Sequence, residues 1–185
     1  MKYIEVEKKY ALPNPHALKA KLEQLGAKPS PQTRQVDAYY NAPHRDFLAP
    51  ATISEWLRIR TQEDGGSSIN FKRWHPIDAT IKTHADEYET TVTDIEAIER
   101  ILESLDFTPL VTVDKTRETW TLPDVEIVFD HVKGAGDYVE FEYKGEATTI
   151  DDATQQLETF ITNLDIELGD TINRGYPHIL LGREH

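Results

Sequence analysis

Pairs of glutamates separated by one apolar or aromatic residue occur three times in this sequence. The first pair is Glu5 and Glu7 in EVEKKY, where Lys9 continues the spacing, and the others lie in EYE (87–89) and EFE (140–142). Side chains two residues apart point to the same side of a β-strand, about 6.5 Å from each other. Each pair therefore places two carboxylates side by side, and carboxylate oxygens are ligands that Mg²⁺ prefers.

Basic residues repeat at the same spacing elsewhere in the chain. Arg58 and Arg60 form one pair, Lys115 and Arg117 form another, and Lys72 stands alone within NFKRW. Arginine binds phosphate through forked hydrogen bonds, and lysine binds it as a point charge. Basic and acidic residues together describe a site for a metal ion and a triphosphate.

The usual interpretation of such alternation is an antiparallel sheet with one solvated face. Here, however, the charges are grouped by sign on individual strands, whereas a merely soluble surface mixes both signs. If the strands close into a barrel, the charged face lines the bore. Buried charges without partners are costly, so such a bore should bind a metal ion and an anion.

The elements that position these residues are eight strands and three helices. We predict an α+β protein with a closed, eight-stranded antiparallel barrel flanked by helices, because turn sequences such as EDGGSS and KGAGD join successive strands. The predicted strands cover the opening segment from residue 4 and residues 35–41, 53–60, 68–74, 86–92, 110–120, 125–132 and 138–144.

The predicted helices follow from apolar stripes and end signals. The first begins at Asn14 as N-cap and stops at Gly26. The second spans TDIEAIERILESLDF, where Thr93 and Glu96 match a capping box, and the third covers DDATQQLETFITNL. The first and last strands become neighbours if the barrel closes.

Composition limits the function classes. The 185 residues predict a single domain over 1–185, and the net charge of -13 argues against nucleic-acid and anionic-membrane partners. The absence of cysteine excludes thiolate nucleophiles and Cys-based metal sites. With no segment of signal-peptide or membrane-spanning character, we expect a cytoplasmic protein, and a homodimer remains open.

The opening segment resembles the ExExK signature of the CYTH superfamily, the triphosphate tunnel metalloenzymes. The resemblance continues in family order through Q-x-D-x-Y-Y (35–40), L-R-I-R (57–60), F-K (71–72), E-Y-E, K-x-R (115–117), F-D-x-V (129–132) and G-D-Y-V-E-F-E (136–142). The tail NRGYPHILLG is similar to the endings of class IV adenylyl cyclase-like members.

The resemblance implies roles for thirteen residues. It implies Glu5, Glu7 and Lys9 as the catalytic signature, and Mg²⁺ or Mn²⁺ as the cofactor. The implied metal-binding positions are Glu5, Glu7, Asp130, Glu140 and Glu142. The implied substrate contacts are Lys9, Arg58, Arg60, Lys72, Lys115 and Arg117, with Glu87 and Glu89 orienting basic neighbours or a water.

Three functions stay open from the sequence. The leading expectation is class IV adenylyl cyclase-like conversion of ATP to cyclic AMP and pyrophosphate. The alternative is hydrolysis of tripolyphosphate or thiamine triphosphate in the same tunnel, and a further alternative is a non-catalytic nucleotide or polyphosphate sensor. The set of metal-type carboxylates argues against the sensor, because cations alone would suffice for binding.

Overall fold

The computed structural model describes residues 4–183; residues 1–3 and 184–185, the ends of the predicted domain, lie outside the described residues. The strands are β1 (Ile4–Glu5), β2 (Glu7–Ala11), β3 (Lys28–Pro29), β4 (Thr33–Asn41), β5 (Glu55–Gln62), β6 (Ser67–His75), β7 (His84–Thr91), β8 (Thr108–Thr121), β9 (Val125–Val132) and β10 (Gly136–Tyr143). The helices are α1 (Pro15–Gln24), α2 (Ile95–Ser104), α3 (Ile150–Asn163) and α4 (Tyr176–Leu180).

The sheet is antiparallel throughout and nearly closes on itself. Its order is β1-β7-β6-β5-β4-β8-β9-β10-β2, with β3 beside β8. Because β1 and β2 are consecutive parts of one opening segment, the first and last strands of this path belong to the same stretch of chain. The predicted barrel, and the pairing of the opening strand with the last strand, are confirmed.

The structure divides the predicted opening strand in two. The change of partner occurs at Val6, whose carbonyl accepts a hydrogen bond from the Tyr143 amide at 2.9 Å. The residues before Val6 form β1, which pairs with β7. A single segment that completes a barrel must pair with different strands along its length. The prediction of one uninterrupted opening strand was therefore wrong. The sequence prediction also missed β3, because two residues are too few to show a period.

All three predicted helix starts can be compared with the structure. Asn14 caps α1 as predicted, accepting a hydrogen bond from the Ala17 amide at 3.3 Å. The predicted cap Thr93 is wrong, since Asp94 has the extended backbone and accepts from the Ala97 amide at 2.9 Å. The third helix starts near the predicted position, with Thr149 as its cap. The short helix α4 was not predicted.

The helices cover apolar side chains on the outside of the barrel. Leu18 and Leu22 of α1 and Leu157 of α3 pack in one core cluster with Ile127 and Phe141, and all five are fully buried. Truncating such a side chain to alanine typically costs about 2–5 kcal/mol. The charged faces of the same strands therefore have to point inward.

Coverage by helices is not complete. Leu102 of α2 packs with Tyr40 and Ile59, but Tyr88, whose side chain points away from the face of β7 that carries Glu87 and Glu89, is half exposed. The turn KGAGD joins β9 to β10 as predicted, and the positive φ angles of Gly134 (82°) and Gly136 (109°) explain its glycines. Between residues 4 and 183, no helix has the length and apolar character needed to cross a membrane.

Candidate active site

The charged faces of the strands enclose a cavity of about 260 Å³ inside the barrel, which we call the tunnel. Of the residues predicted for the site, all but Asp130 line it. They are Glu5, Glu7, Lys9, Arg58, Arg60, Lys72, Glu87, Glu89, Lys115, Arg117, Glu140 and Glu142.

Asp37 on β4 organises the basic residues on one wall of the tunnel. It is fully buried, and its two oxygens accept hydrogen bonds from Arg60 Nε and Nη2 at 2.7 and 2.9 Å. The same carboxylate lies 3.3 Å from Lys115 Nζ and 3.7 Å from Arg58 Nη1. One acidic group therefore holds three cations from two strands, β5 and β8.

The protonation states on this wall follow from the same contacts. Burial favours the neutral form of Asp37, but Lys115, Arg58 and Arg60 hold its pKa well below the usual value. Burial and the neighbouring charge of Arg117 lower the pKa of Lys115 to about 8, despite nearby carboxylates. At neutral pH this wall is mostly cationic, and Lys115 has lost about half of its charge at about pH 8.

Lys72 on β6, the strand next to β5, draws three carboxylates together. Its Nζ atom lies 2.6 Å from Glu5, 2.8 Å from Glu7 and 3.1 Å from Glu87. Burial disfavours the charged lysine, but these carboxylates raise its pKa well above the usual value. Glu87 also lies 3.4 Å from Arg58, so this glutamate contacts two basic neighbours.

This side of the tunnel contains more carboxylates than nearby cations can neutralise. Burial raises the pKa of Glu5 to about 9 against the attraction of Lys72, and a hydrogen bond to Glu87 adds to the rise. The pKa of Glu87 is lowered instead, because Lys72 and that hydrogen bond outweigh its burial. The proton of the pair therefore stays on Glu5.

The donor chemistry here fits a hard divalent cation. Glu7 and Glu142 stand directly opposite each other on β2 and β10, where like charges destabilise a sheet. Burial raises the pKa of Glu142, and the charge of Glu7 adds to this although Lys144 opposes it. A cation that accepts oxygen ligands, such as Mg²⁺ or Mn²⁺, would relieve this repulsion.

These glutamates nevertheless already form ion pairs with lysines. Lys144 Nζ lies 2.6 Å from Glu142, and Lys72 contacts Glu5 and Glu7. Within residues 4–183 no three His, Cys, Asp or Glu side chains are grouped so that they could hold a metal ion. The metal-binding roles of these glutamates therefore remain predictions.

Asp130 and Glu140 lie at a separate position, around Arg117. Asp130 is buried behind the tunnel wall, where it accepts hydrogen bonds from Arg117 Nε at 2.7 Å and from the Tyr176 hydroxyl at 2.8 Å. Glu140 lies 2.9 Å from both Arg117 and Lys9. The five predicted metal ligands are thus divided between two groups, and Asp130 is placed to orient Arg117.

Glu89 lies apart from the basic residues that it was predicted to orient. It accepts a hydrogen bond from the Ser68 hydroxyl at 2.6 Å and stands opposite Asn70 across β6 and β7. Asn70 itself donates a hydrogen bond to Glu87. An uncharged pair of side chains therefore orients two glutamates of the tunnel.

Sequence reasoning missed three residues that shape the site. Asp37 was noted only as part of the Q-x-D-x-Y-Y motif. Nothing in the spacing of that motif shows that the Asp37 carboxylate is a buried counter-ion. Tyr176 lies in the C-terminal tail. The Nζ atoms of Lys9 and Lys115 lie 4.2 and 5.3 Å from the centroid of its ring. Lys144 could have been found, because it extends the two-residue period of Glu140 and Glu142.

Comparison with known proteins identifies the family. The CYTH domain model matches residues 3–176. The chain belongs to the CYTH domain family. A Methanocaldococcus jannaschii protein that carries the provisional name adenylate cyclase MJ0240 is 30% identical over 174 residues, which are 94% of this chain and 96% of that protein.

Solved structures of other proteins share the fold. The PH1012 protein from Pyrococcus horikoshii has a TM-score of 0.78 and 25% identity, covering 94% of this chain and 98% of its own. HpAC1 from Hippeastrum, a provisionally named adenylyl cyclase with a dominant triphosphatase activity, has a TM-score of 0.65 and 17% identity, covering 97% and 96%. Both likenesses extend over nearly the whole CYTH chain.

Proposed function

We propose that the tunnel binds the triphosphate of ATP together with Mg²⁺ or Mn²⁺, and that the chain converts ATP to cyclic AMP and pyrophosphate. The observation that carries this proposal is one cavity lined by basic side chains from four strands of the barrel. Membership of the CYTH family and the provisional name of the M. jannaschii relative support it. The basic residues are Lys9, Arg58, Arg60, Lys72, Lys115 and Arg117.

The arginines of the tunnel are held in place by two different aspartates. Arg58 and Arg60, held by Asp37, present a rigid wall for phosphate oxygens on one side. Arg117 is held in the same way by Asp130. Because these side chains are buried and already oriented, little conformational entropy is lost when they bind a phosphate.

Glu7 and Glu142, which stand opposite each other, would hold the metal ion together with phosphate oxygens of the substrate, and Glu5 would join them after losing its proton. When bound, a divalent metal ion withdraws charge from the phosphate oxygens and so stabilises the developing negative charge of the transition state. Lys72 lies among two of these carboxylates and is placed to contact the same phosphates.

The proposed reaction forms one bond and breaks one bond. The ribose 3′ oxygen attacks the α-phosphorus, and the bond from that phosphorus to the bridging α–β oxygen breaks. Pyrophosphate leaves with the electron pair, and the proton of the 3′ hydroxyl is released. The basic walls stabilise the charge that accumulates on the leaving pyrophosphate.

Triphosphate hydrolysis is the second candidate, because the tunnel residues recognise phosphate groups rather than a nucleoside. HpAC1, which shares this fold, combines a cyclase-like name with a dominant triphosphatase activity. Water would then attack a terminal phosphorus in the same tunnel. The two reactions differ in which phosphorus is aligned with which nucleophile.

Product analysis tests the proposal. ATP and the protein should be incubated with Mg²⁺ and with Mn²⁺, and the products separated by chromatography. Cyclic AMP with pyrophosphate is the expected result, whereas ADP with orthophosphate, or faster consumption of tripolyphosphate, would replace it with the hydrolase. Tight binding of ATP, tripolyphosphate and thiamine triphosphate without turnover would favour a sensor.

A matched pair of variants separates the site from the surface. Glu142→Gln should strongly reduce metal-dependent turnover while the protein stays folded. Glu103→Gln, on the exposed surface of α2, should leave turnover unchanged. Activity of Glu142→Gln within a few-fold of the unmodified protein would contradict a metal role for this residue.

A further inference from the structure

Lys144 continues the row of charged side chains that Glu140 and Glu142 form on β10. It follows directly after the end of this strand, and its side chain lines the tunnel. Its Nζ atom lies 2.6 Å from Glu142. The motifs that resemble the family end at Glu142 on this strand, so they assign no role to Lys144.

The side chain of Lys144 is more exposed than those of Lys9 and Lys72. It is 44% exposed, whereas Lys72 is 14% and Lys9 is 7% exposed. The backbone at Lys144 is fixed, because its amide donates a hydrogen bond to the Asp124 carbonyl at 2.8 Å. The ammonium group is therefore able to move between Glu142 and water while the chain around it stays in place.

Lys72 and Lys144 differ in the number of carboxylates that they contact. Lys72 Nζ lies within 3.1 Å of three glutamates. Between residues 4 and 183, Lys144 forms an ion pair with Glu142 alone. A partly exposed ion pair contributes little to stability, because water and salt screen it. Lys144 is therefore the easier of the two lysines to displace from its partner.

A divalent ion at Glu7 and Glu142 needs carboxylate oxygens that lysines already contact. Lys72 lies 2.8 Å from Glu7, and Lys144 lies 2.6 Å from Glu142. An ammonium group and a metal ion repel each other when both approach one carboxylate. The arrival of the ion at Glu142 therefore favours the departure of Lys144.

A second cavity, of about 360 Å³, provides space for the displaced ammonium group. Among the described residues, Lys144 is the one basic side chain that lines it. Because this cavity is lined by carboxyl groups, Lys144 leaves Glu142 without entering apolar surroundings, where a charge would be costly. The cavity adjoins the tunnel, and both are lined by Glu5, Glu87, Glu89, Glu142 and Lys144.

We propose that Lys144 is a displaceable counter-ion that competes with the divalent metal ion for Glu142. In the free protein it neutralises Glu142, which stands opposite Glu7, where two like charges would destabilise the sheet. When the ion binds, the ion pair between Lys144 and Glu142 is broken, so Lys144 lowers the affinity of the site for the ion. The proposal rests on the proposed function, because it takes Glu142 as a metal position.

Metal binding in the absence of substrate tests the proposal. The electron paramagnetic resonance signal of free Mn²⁺ measures how much of the ion the protein binds, and it requires no turnover. Lys144→Met removes the charge and keeps most of the length of the side chain. It should tighten Mn²⁺ binding by about three- to fivefold, the effect of removing one partly exposed ion pair. Lys144→Arg keeps the charge and should change the affinity much less.

Lys19 on α1 provides a matched control outside the tunnel. Its Nζ atom also lies 2.6 Å from a glutamate, Glu118, and the side chains of Glu118 and Glu142 are both 16% exposed. Lys19→Met changes the net charge by the same amount as Lys144→Met and should leave Mn²⁺ binding unchanged. Equal tightening in both variants would show that the overall charge controls the affinity, and it would overturn the proposal.

A double variant separates competition for Glu142 from repulsion over a longer distance. Glu142→Gln removes the carboxylate for which Lys144 competes. When Lys144→Met is added to Glu142→Gln, it should gain little Mn²⁺ affinity, because no ion pair remains to be broken. The same gain with and without the carboxylate would mean that Lys144 acts only through long-range repulsion, and the proposed competition would be wrong.

The outcomes separate this inference from the proposed function. If the unmodified protein and Lys144→Met bind Mn²⁺ with equal affinity, or if neither binds it, Lys144 does not compete for the ion and the inference fails. Product analysis with ATP decides independently about the proposed function. Metal-dependent formation of cyclic AMP would then leave the proposed function in place without this role for Lys144.

Discussion

Replacing Asp37 by asparagine should destabilise the protein strongly, although the shape of the side chain is retained. The carboxylate accepts hydrogen bonds from Arg60 at 2.7 and 2.9 Å and lies 3.3 Å from Lys115. Asparagine removes the negative charge and leaves Arg58, Arg60 and Lys115 close together without it. Their mutual repulsion would then be added to the loss of the hydrogen bonds.

The size of the expected loss of stability follows from the burial of Asp37. Breaking a buried ion pair by removing one partner typically costs about 3–5 kcal/mol. For a chain of this size, each kcal/mol lowers Tm by about 2–4 °C, so the loss should be roughly 6–20 °C. Urea unfolding measures the free energy of unfolding directly, and thermal melting measures the shift in Tm.

The chain offers a matched control that shares strand β4. Asp114 on β8 accepts two hydrogen bonds from Arg34 on β4 at 2.8 and 2.9 Å, nearly the same geometry as Asp37 with Arg60. The Arg34 side chain is 58% exposed, and exposed ion pairs contribute little to stability because water and salt screen them. Asp114→Asn should therefore change stability little.

A bound anion should restore part of the stability lost by Asp37→Asn. Tripolyphosphate supplies negative charge to the same basic wall, and a ligand that binds only the folded state stabilises it. It should therefore raise the Tm of the variant more than that of the unmodified protein. Similar costs for the Asp37 and Asp114 variants, or no greater stabilisation by tripolyphosphate, would refute the role of Asp37 as the counter-ion of this wall.

Three further predictions concern binding and pH. Arg58→Ala should weaken tripolyphosphate binding by at least about tenfold in a calorimetric titration, whereas the exposed Arg100→Ala should not. The pKa of His178, lowered to about 4 chiefly by burial, means that the folded protein binds fewer protons than the unfolded chain between about pH 4 and 6.5. The free energy of unfolding should therefore fall by up to roughly 3 kcal/mol as pH decreases through that window, and urea unfolding of His178→Asn should lack this fall. Lys115, with a pKa of about 8, should take up a proton when tripolyphosphate binds at about pH 8–9. Calorimetry in buffers of different ionisation enthalpy should detect this uptake and should find it absent in Lys115→Met.

The sequence alone determined the family, the class of fold and the faces of the strands. The two-residue period of Glu140 and Glu142, or of Arg58 and Arg60, fixes which side chains share a face, because alternation is a local property of the extended backbone. The same holds for α1, whose cap at Asn14 depends on residues within one turn. These are interactions over short distances in sequence, and the printed residues are sufficient to predict them.

The tertiary structure decided which charges meet. Lys72 contacts Glu5 and Glu7 although more than sixty residues separate them, and Arg117 is shared by Asp130 and Glu140. Sequence reasoning grouped Asp130 and Glu140 with the other metal ligands, because a carboxylate that holds an arginine looks the same in a sequence as one that faces a cavity. Burial and register across the closed barrel distinguish them, and both depend on how distant strands pair.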